Sequence, residues 1–560
     1  MTGKVRGWFP ALRGGGAGRW RADTVAGLTL WVVLVPEVMA YATIAGVPPV
    51  VGLVASVASL AMYAALGTSS RVVMGPMAAT AALSGATLAS LHPTGPAEAL
   101  ALTAGLAILC GVAALVAGLL RMGFVVAMVS KPVLKGFVVG LSLAVVWGQL
   151  PVLLGAESAH GSFWKVGKIW LDVGDWFDVR SALIGIGGLT IMLVMRRYWP
   201  RSPAALVAVL GSLAVSWFLE LPQAGVSSIG ALEVGEIHMG WPSIELSRWG
   251  RLVGPALAVA LVGFADGMGA ARAVGTTVVP NRELIAQGGS NLGAGLVGGM
   301  VVNGSLSKSA VNRDAGARTQ VSGLVAASLV VATLLWLGPV FAWLPHATLA
   351  AVVIAALWEL VDFKGLVDLY HVGRSGKVEG VAVWADAAAA WVTFVGVIGL
   401  GVLEGLLVGV GGSLLLILYR ASWPYIAELG VLEQEQGDLY VDQARHPEAQ
   451  AVKGVVILRV ESGFYFVNAE HVRRQVLKVA RREGVRCVIL DGESTPVIDV
   501  SAAQMLVKLA EELRKRDKVL AMARDVGQVR DILAEERKLR AMPHYASVGE
   551  AVEALAKDQT

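Results

Sequence analysis

Two short stretches, MGPMAAT at Met74–Thr80 and SLSKSA at Ser305–Ala310, are the key to the architecture of this chain. Each opens an apolar segment with Gly, Pro or Ser where bulky side chains would be expected, so each reads as a broken helix starting inside a bilayer. Such a helix leaves its first N–H groups unpaired, and with the helix dipole they favour an anion. Small residues also permit close packing of membrane helices, which is the plainer reading of either stretch alone. Finding two such stretches at matching places in two halves of the chain favours a binding site near the midplane.

The halves emerge from the rest of the sequence. Of 560 residues, 55% are hydrophobic and 16% charged, with a mean hydropathy of +0.65, too apolar for a soluble protein of this length. Apolar runs fall near 24–43, 49–66, 72–90, 99–120, 124–154, 181–195, 204–219, 252–272, 284–301, 307–318, 321–339, 342–360, 381–400 and 403–420. Fourteen runs divide into two sets of seven, and an odd number inverts the second set relative to the first. Arg71, Arg121, Arg196, Arg197, Arg201, Arg272, Arg282, Arg374 and Lys377 lie in loops of one side. The opposite loops at 91–98, 302–306, 340–346 and 401–402 hold no Lys or Arg. This bias predicts a multi-pass protein of the cell membrane with both termini cytoplasmic. Residues 1–23 read as a basic cytoplasmic arm with no cleavable signal, and 24–420 as the membrane domain.

Ionisable residues inside spans mark function, because insertion of each costs about 2.5–3.5 kcal/mol. Glu37 follows Pro36 halfway along the first run, and Asp266 precedes Gly267 in its counterpart, the eighth. Both are candidate proton carriers; alternatively Asp266 accepts Na⁺ with Thr276 or Thr277 or backbone carbonyls, or either carboxyl pairs with Lys308 or a helix end for stability alone. The candidate anion site is Ala78, Ala79 and Thr80 on one half-helix, facing Ser307, Lys308, Ser309 and Ala310 on the other. Tyr41, one turn beyond Glu37, either lines the same cavity or only packs. Cys110 and Cys487 have no ligand spacing, the histidines are scattered, and no nucleotide-binding loop is present. Neither a cofactor, a metal centre, a primary pump nor an enzyme is expected. The basic residues sit at span ends, which gives no reason to expect a nucleic-acid partner.

Residues 421–560 carry 20 Lys and Arg and 22 Asp and Glu, the density of a soluble domain. After an expected linker at 421–453, GVVILRV, VRCVILDG and KVLAMAR read as strands separated by amphipathic helices, a small α/β domain over 454–557.

DTVAGLTLWVVLVPEVMAYATIAGVPPVVGLVAS (Asp23–Ser56), SSRVVMGPMAATAAL (Ser69–Leu83), LVGFADGMGAARAVG (Leu261–Gly275) and SLSKSAVNRDAGARTQVSG (Ser305–Gly323) occur in an order that resembles the sulfate permease family of anion transporters. The resemblance runs over nearly the whole chain. It implies the uracil-permease type of fold, with fourteen segments in two inverted repeats divided into core and gate domains, an elevator-like cycle and a homodimer. Many members carry Gln, Glu and Arg where this chain has Glu37, Asp266 and Lys308; Lys keeps the charge but lacks the guanidinium fork. The C-terminal domain resembles the STAS domain, which implies a regulatory role for Ser501 at a helix start; Ser501 or Asp499 also reads as a simple cap. The expected function is secondary transport of sulfate or a similar oxyanion with a proton. Alternatives are Na⁺-coupled bicarbonate or proton-coupled dicarboxylate transport, or anion sensing that signals through the C-terminal domain.

Overall fold

The computed structural model describes residues 17–124, 130–156, 163–172, 176–199, 202–230, 239–276, 278–358, 360–374, 381–433, 438–535 and 542–557. Most of the expected N-terminal arm and Thr277 lie outside them. The chain divides into two compact units, Met1–Ser413 and Leu414–Thr560.

In the first unit the opening half comprises α1 (Ala17–Ile44), α2 (Pro49–Leu66), β1 (Val73–Gly75), α3 (Ala78–Leu91), α4 (Pro96–Leu119), α5 (Lys131–Leu153), a short α6 (Phe163–Ile169), α7 (Val179–Tyr198) and α8 (Ala204–Phe218). The closing half repeats the order with α9 (Leu246–Ala273), α10 (Pro280–Leu296), β2 (Asn303–Ser305), α11 (Leu306–Asp314), α12 (Val321–Ala332), α13 (His346–Trp358), a short α14 (Phe363–Arg374), α15 (Val381–Gly399) and α16 (Val402–Ser422). Each apolar run of the sequence thus meets a helix or a strand–helix pair. Among the described residues eight helices, with α12 counted as the continuous run Val321–Phe341, are at least 18 residues long and apolar enough to cross a bilayer; α3, α8 and Asp386–Gly399 of α15 are apolar but shorter. Leu183, Ile186, Ile191 and Val194 leave one face of α7 exposed and apolar, as a lipid-facing helix requires.

Two bundles form. One packs α1–α4 with α9–α12, through α4 on α10, α2 on α10 and α1 on α12; the other packs α5 on α15 and α13 on α5 and α7. Where α4 meets α10 the backbones approach so closely that a Cβ on Gly111 would lie 2.7 Å from the Leu292 nitrogen, and one on Gly288 2.8 Å from the Gly111 carbonyl. These are small-residue contacts of the kind that replace hydrophobic drive in lipid. α1 and α3 carry the first bundle's contacts with α5, α8 and α13.

The second unit is a six-stranded sheet ordered β4-β3-β5-β6-β7-β8, from β3 (Ile426–Leu432), β4 (Leu439–Asp442), β5 (Val455–Val460), β6 (Cys487–Asp491), β7 (Val519–Ala523) and β8 (His544–Tyr545). β5 to β8 are parallel, while β3 runs antiparallel to β4 and β5. Alternation along the strands sends Leu458, Leu490 and Met522 to one face, and Ile457, Ile489 and Ala521 to the other. Four helices accompany it: α17 (Ala469–Ala480), α18 (Val500–Arg514), α19 (Gly527–Glu535) and α20 (Val548–Lys557). α17 and α18 cover the first face, and α20 covers the second.

The stretch 421–453, expected to be a linker, therefore contributes two strands, β3 and β4, to this sheet. Ala427 and Leu429 alternate into the core on β3, and Gly430 lies where a Cβ would meet the Gln443 side chain at 2.8 Å. The polar residues just after β3 gave the segment a linker's composition; residues 434–437 of it are outside the described set.

Candidate functional site

β1 and β2 pair antiparallel, Val73 with Ser305, Met74 with Gly304 and Gly75 with Asn303. This three-residue ladder holds the two half-helices, because α11 begins directly after β2 and α3 two residues after β1. Polar side chains fix the ladder from behind. Ser59 Oγ donates to the Met74 carbonyl at 3.1 Å, Asn291 exchanges two hydrogen bonds with the Val302 backbone at 2.9 and 3.0 Å, and Gln287 Nε2 donates to Asn303 Oδ1 at 3.0 Å. In a membrane interior such backbone would otherwise be unsatisfied. Glycines admit α9 on the other side: a Cβ on Gly304 would lie 2.7 Å from the Gly267 Cα, and one on Gly263 would lie 2.4 Å from Asn303 Oδ1.

α3 starts at Ala78 after an extended Met77 that offers no side-chain cap, so the N–H groups of Ala78, Ala79 and Thr80 stand free of the helix ladder. Thr80 is fully buried and its hydroxyl donates back to the Met77 carbonyl at 3.3 Å. α11 starts at Leu306. Ser305 caps it, accepting from the Lys308 N–H at 3.3 Å, which leaves the N–H groups of Leu306 and Ser307 at the opening. Ser309 and Ala310 were expected to present N–H groups; the helix begins early enough that these enter the i→i−4 ladder. Ser309 Oγ instead accepts from the Val73 N–H at 2.9 Å, tying α11 to β1. Ser307 is exposed, 3.3 Å from Ser305 Oγ.

The charged centre joins α1 to α11. Lys308 Nζ, fully buried, lies 3.0 Å from Glu37 Oε2, and the Tyr41 hydroxyl donates to the same oxygen at 3.4 Å. The ammonium also sits 4.9 Å from the centre of the Tyr41 ring, within cation–π range. Tyr41 thus touches both members of the pair. The partner of Lys308 is Glu37 rather than Asp266. Asp266, half-buried on α9 beside Gly267, makes no hydrogen bond or ion pair among the described residues. Thr276 is held by Ser69 at 2.9 Å and the Ala271 carbonyl at 3.0 Å at the far end of α9, away from Asp266.

Three polar anchors had escaped the sequence reading. Asp23 accepts from the Arg318 and Thr319 N–H groups and the Thr319 hydroxyl, Glu283 accepts from Tyr63 at 2.5 Å and Thr68 at 2.8 Å, and Gln320 donates to the Ser69 and Val72 carbonyls. Their signal was available as polar residues at the ends of apolar runs.

In the second unit Asp499 is the cap of α18: it accepts from the Ala502 N–H at 2.8 Å and from the Phe466 N–H at 2.7 Å. Ser501 lies exposed in the first turn. Replacing Asp499 by Ala should lower the stability of this unit by about 1 kcal/mol or somewhat more, with two N–H groups losing their acceptor, whereas Ser501→Ala should move it by less than about 0.5 kcal/mol. Calorimetric unfolding of the full chain checks both.

Comparisons with known proteins agree with this architecture. The sulfate permease family profile matches residues 20–382 and the STAS domain profile residues 446–551. A Mycobacterium tuberculosis protein named "Probable sulfate transporter" is 33% identical over 92% of this chain and 91% of its own. The high affinity sulfate transporter 1 of Stylosanthes hamata is 28% identical over 90% of this chain and 78% of its own. Among solved structures, the murine solute carrier 26 family member A9 anion transporter in its inward-facing state superposes with a TM-score of 0.84 at 24% identity, covering 97% of this chain and 92% of that one. The transmembrane domain of a cyanobacterial bicarbonate transporter superposes at 0.59 and 22% identity, over 72% of this chain and all of its own.

Proposed function

The chain belongs to the sulfate permease family, and we propose that it is a secondary active transporter of a small oxyanion, sulfate first, coupled to protons through Glu37. One observation carries this reading: the formal positive charge at the meeting point of the half-helices, Lys308, is already engaged by the chain's own carboxylate at 3.0 Å. Glu37 stands where an anionic substrate would stand. A proton on Glu37 neutralises it and releases Lys308, and the anion then enters between Lys308, the N–H groups at Ala78–Thr80 and those at the start of α11. Return of the carboxylate to Lys308 expels the anion after the proton leaves. Proton and anion thereby travel together. Asp266, unpaired and close to β2, is the second proton station.

The translocating step is an elevator-like shift of the bundle that carries α3 and α11 against the bundle of α5, α13 and α15. The protein acts in the cell membrane as a homodimer with both termini in the cytoplasm. The STAS-like domain, with the β3–β4 hairpin as part of its sheet, serves regulation or assembly, with Ser501 accessible for modification.

Labelled sulfate uptake into proteoliposomes under an inward proton gradient, without Na⁺, tests the proposal. Uptake should rise several-fold as the outer pH falls, Glu37→Gln should flatten that dependence, and Asp266→Asn should weaken it. A requirement for Na⁺ would overturn the coupling. Uptake of bicarbonate or fumarate but not sulfate would change the substrate, and silence towards every anion by folded protein would favour the sensor reading.

A further inference from the structure

A second polar position lies away from the Glu37–Lys308 pair. Gln149, on α5, is only 7% exposed, and its amide makes no hydrogen bond with any described residue. Its polar atoms are not sealed in the packed interior, so a mobile molecule can reach and pair with them. Gln149 lines two cavities, one of about 340 Å³ and one of about 320 Å³. The larger runs along the small-residue face of α3 past Gly85 to His92, and its far wall includes Lys165 and the start of α16 at Val402. Glu404, its carboxylate, is on an exposed position of that wall. The smaller cavity lies against the end of α1, at Gly46 and Pro48.

Besides Gln149, whose NH₂ can donate, the polar lining is Ser90, His92, Lys165 and Glu404, so the one carboxylate faces the one ammonium across the cavity and the neutral amide is the group left to meet a ligand. We infer that the larger cavity is a second subsite for the transported anion, on the path to the half-helices, and that Gln149 is the residue that recognises the anion there. The inference rests on the transport reading and extends it. A hydrated oxyanion of sulfate size fits within 340 Å³, and the smooth face of α3 offers it no side-chain obstacle between His92 and Gly85. Gln149 gives a neutral donor, which holds an anion weakly enough to pass it on.

Charge placed at position 149 provides the test. Saturation binding of labelled sulfate to the purified full chain should give two sites per chain in the wild type and one in Gln149→Glu. The Glu37→Gln/Lys308→Ala double variant, which removes the midplane cation without stranding a buried charge, should also retain one. In proteoliposomes Gln149→Glu should raise KM about tenfold and Gln149→Lys should lower it about threefold, with maximal rates within about twofold. A purely structural glutamine would make both substitutions harmful in the same direction, and that result overturns the proposal. So does a single site per wild-type chain. Should sulfate be replaced by bicarbonate or fumarate as the transported anion, that anion becomes the probe. A wild type that binds and moves none of the three overturns the transport reading and the subsite together.

Discussion

Lys308→Ala is expected to reduce anion uptake about 10- to 100-fold. Loss of a charge-assisted contact to substrate is worth about 1.5–3 kcal/mol, or about one to two powers of ten in affinity. The same substitution strands Glu37 in the bilayer interior, and breaking a buried pair from one side costs about 3–5 kcal/mol, so the single variant should also unfold at lower temperature. The two effects separate in the double variant Glu37→Gln/Lys308→Ala, which should regain most of the thermal stability and none of the uptake. Lys308→Arg should keep measurable transport because the charge stays. Uptake by Lys308→Ala within threefold of wild type, at normal stability, would remove Lys308 from the anion site.

Gly304→Ala is expected to be nearly as damaging, for a steric reason. The new methyl would lie 2.7 Å from the Gly267 Cα, a backbone atom that yields only if α9 withdraws from β2. Overpacking of this kind costs about 1–3 kcal/mol, and here the displaced strand is the one that launches α11, so uptake should fall more than about tenfold. The reciprocal change is instructive. A Cβ on Gly267 would meet Gly304 at 3.8 Å, an ordinary contact, so Gly267→Ala should stay within about 0.5 kcal/mol of wild type. Thermal unfolding and initial uptake rates of the pair decide it; equal effects of the two substitutions would contradict the packing described here.

Much of this was legible in the sequence, and what escaped shows where local reading stops. The half-helices announced themselves through composition, and Glu37, Asp266 and Lys308 through the cost of charge in lipid. The partner of Lys308 lies 271 residues away, and nothing local chooses between Glu37 and Asp266 for it. Helix phase was also out of reach. A start at Leu306 rather than Ser307 moves the free N–H groups back by one residue, which removes Ser309 from that set and brings in Leu306, while Ala310 lies in the ladder with either start. Gln149 looked like one more residue of an apolar run, because its significance depends on two cavities that exist only after α5 meets α3 and α13. The β3–β4 hairpin was hidden by the charged composition that correctly signalled a soluble domain.

An antiparallel pair of strands looks the same after half a turn about the axis between them. β1 and β2 are such a pair, Met74 opposite Gly304, with a helix leaving each strand. Backbone arranged this way has no front and no back, so an anion held on that axis by N–H groups alone meets the same surroundings from either face of the membrane. What breaks the equivalence lies beyond the ladder: one helix starts two residues after its strand and the other directly, and a lysine on one half-helix has no counterpart among Ala78, Ala79 and Thr80 on the other. Direction is therefore not written into the scaffold, and the same site should run as an importer or an exporter according to the gradients imposed on it.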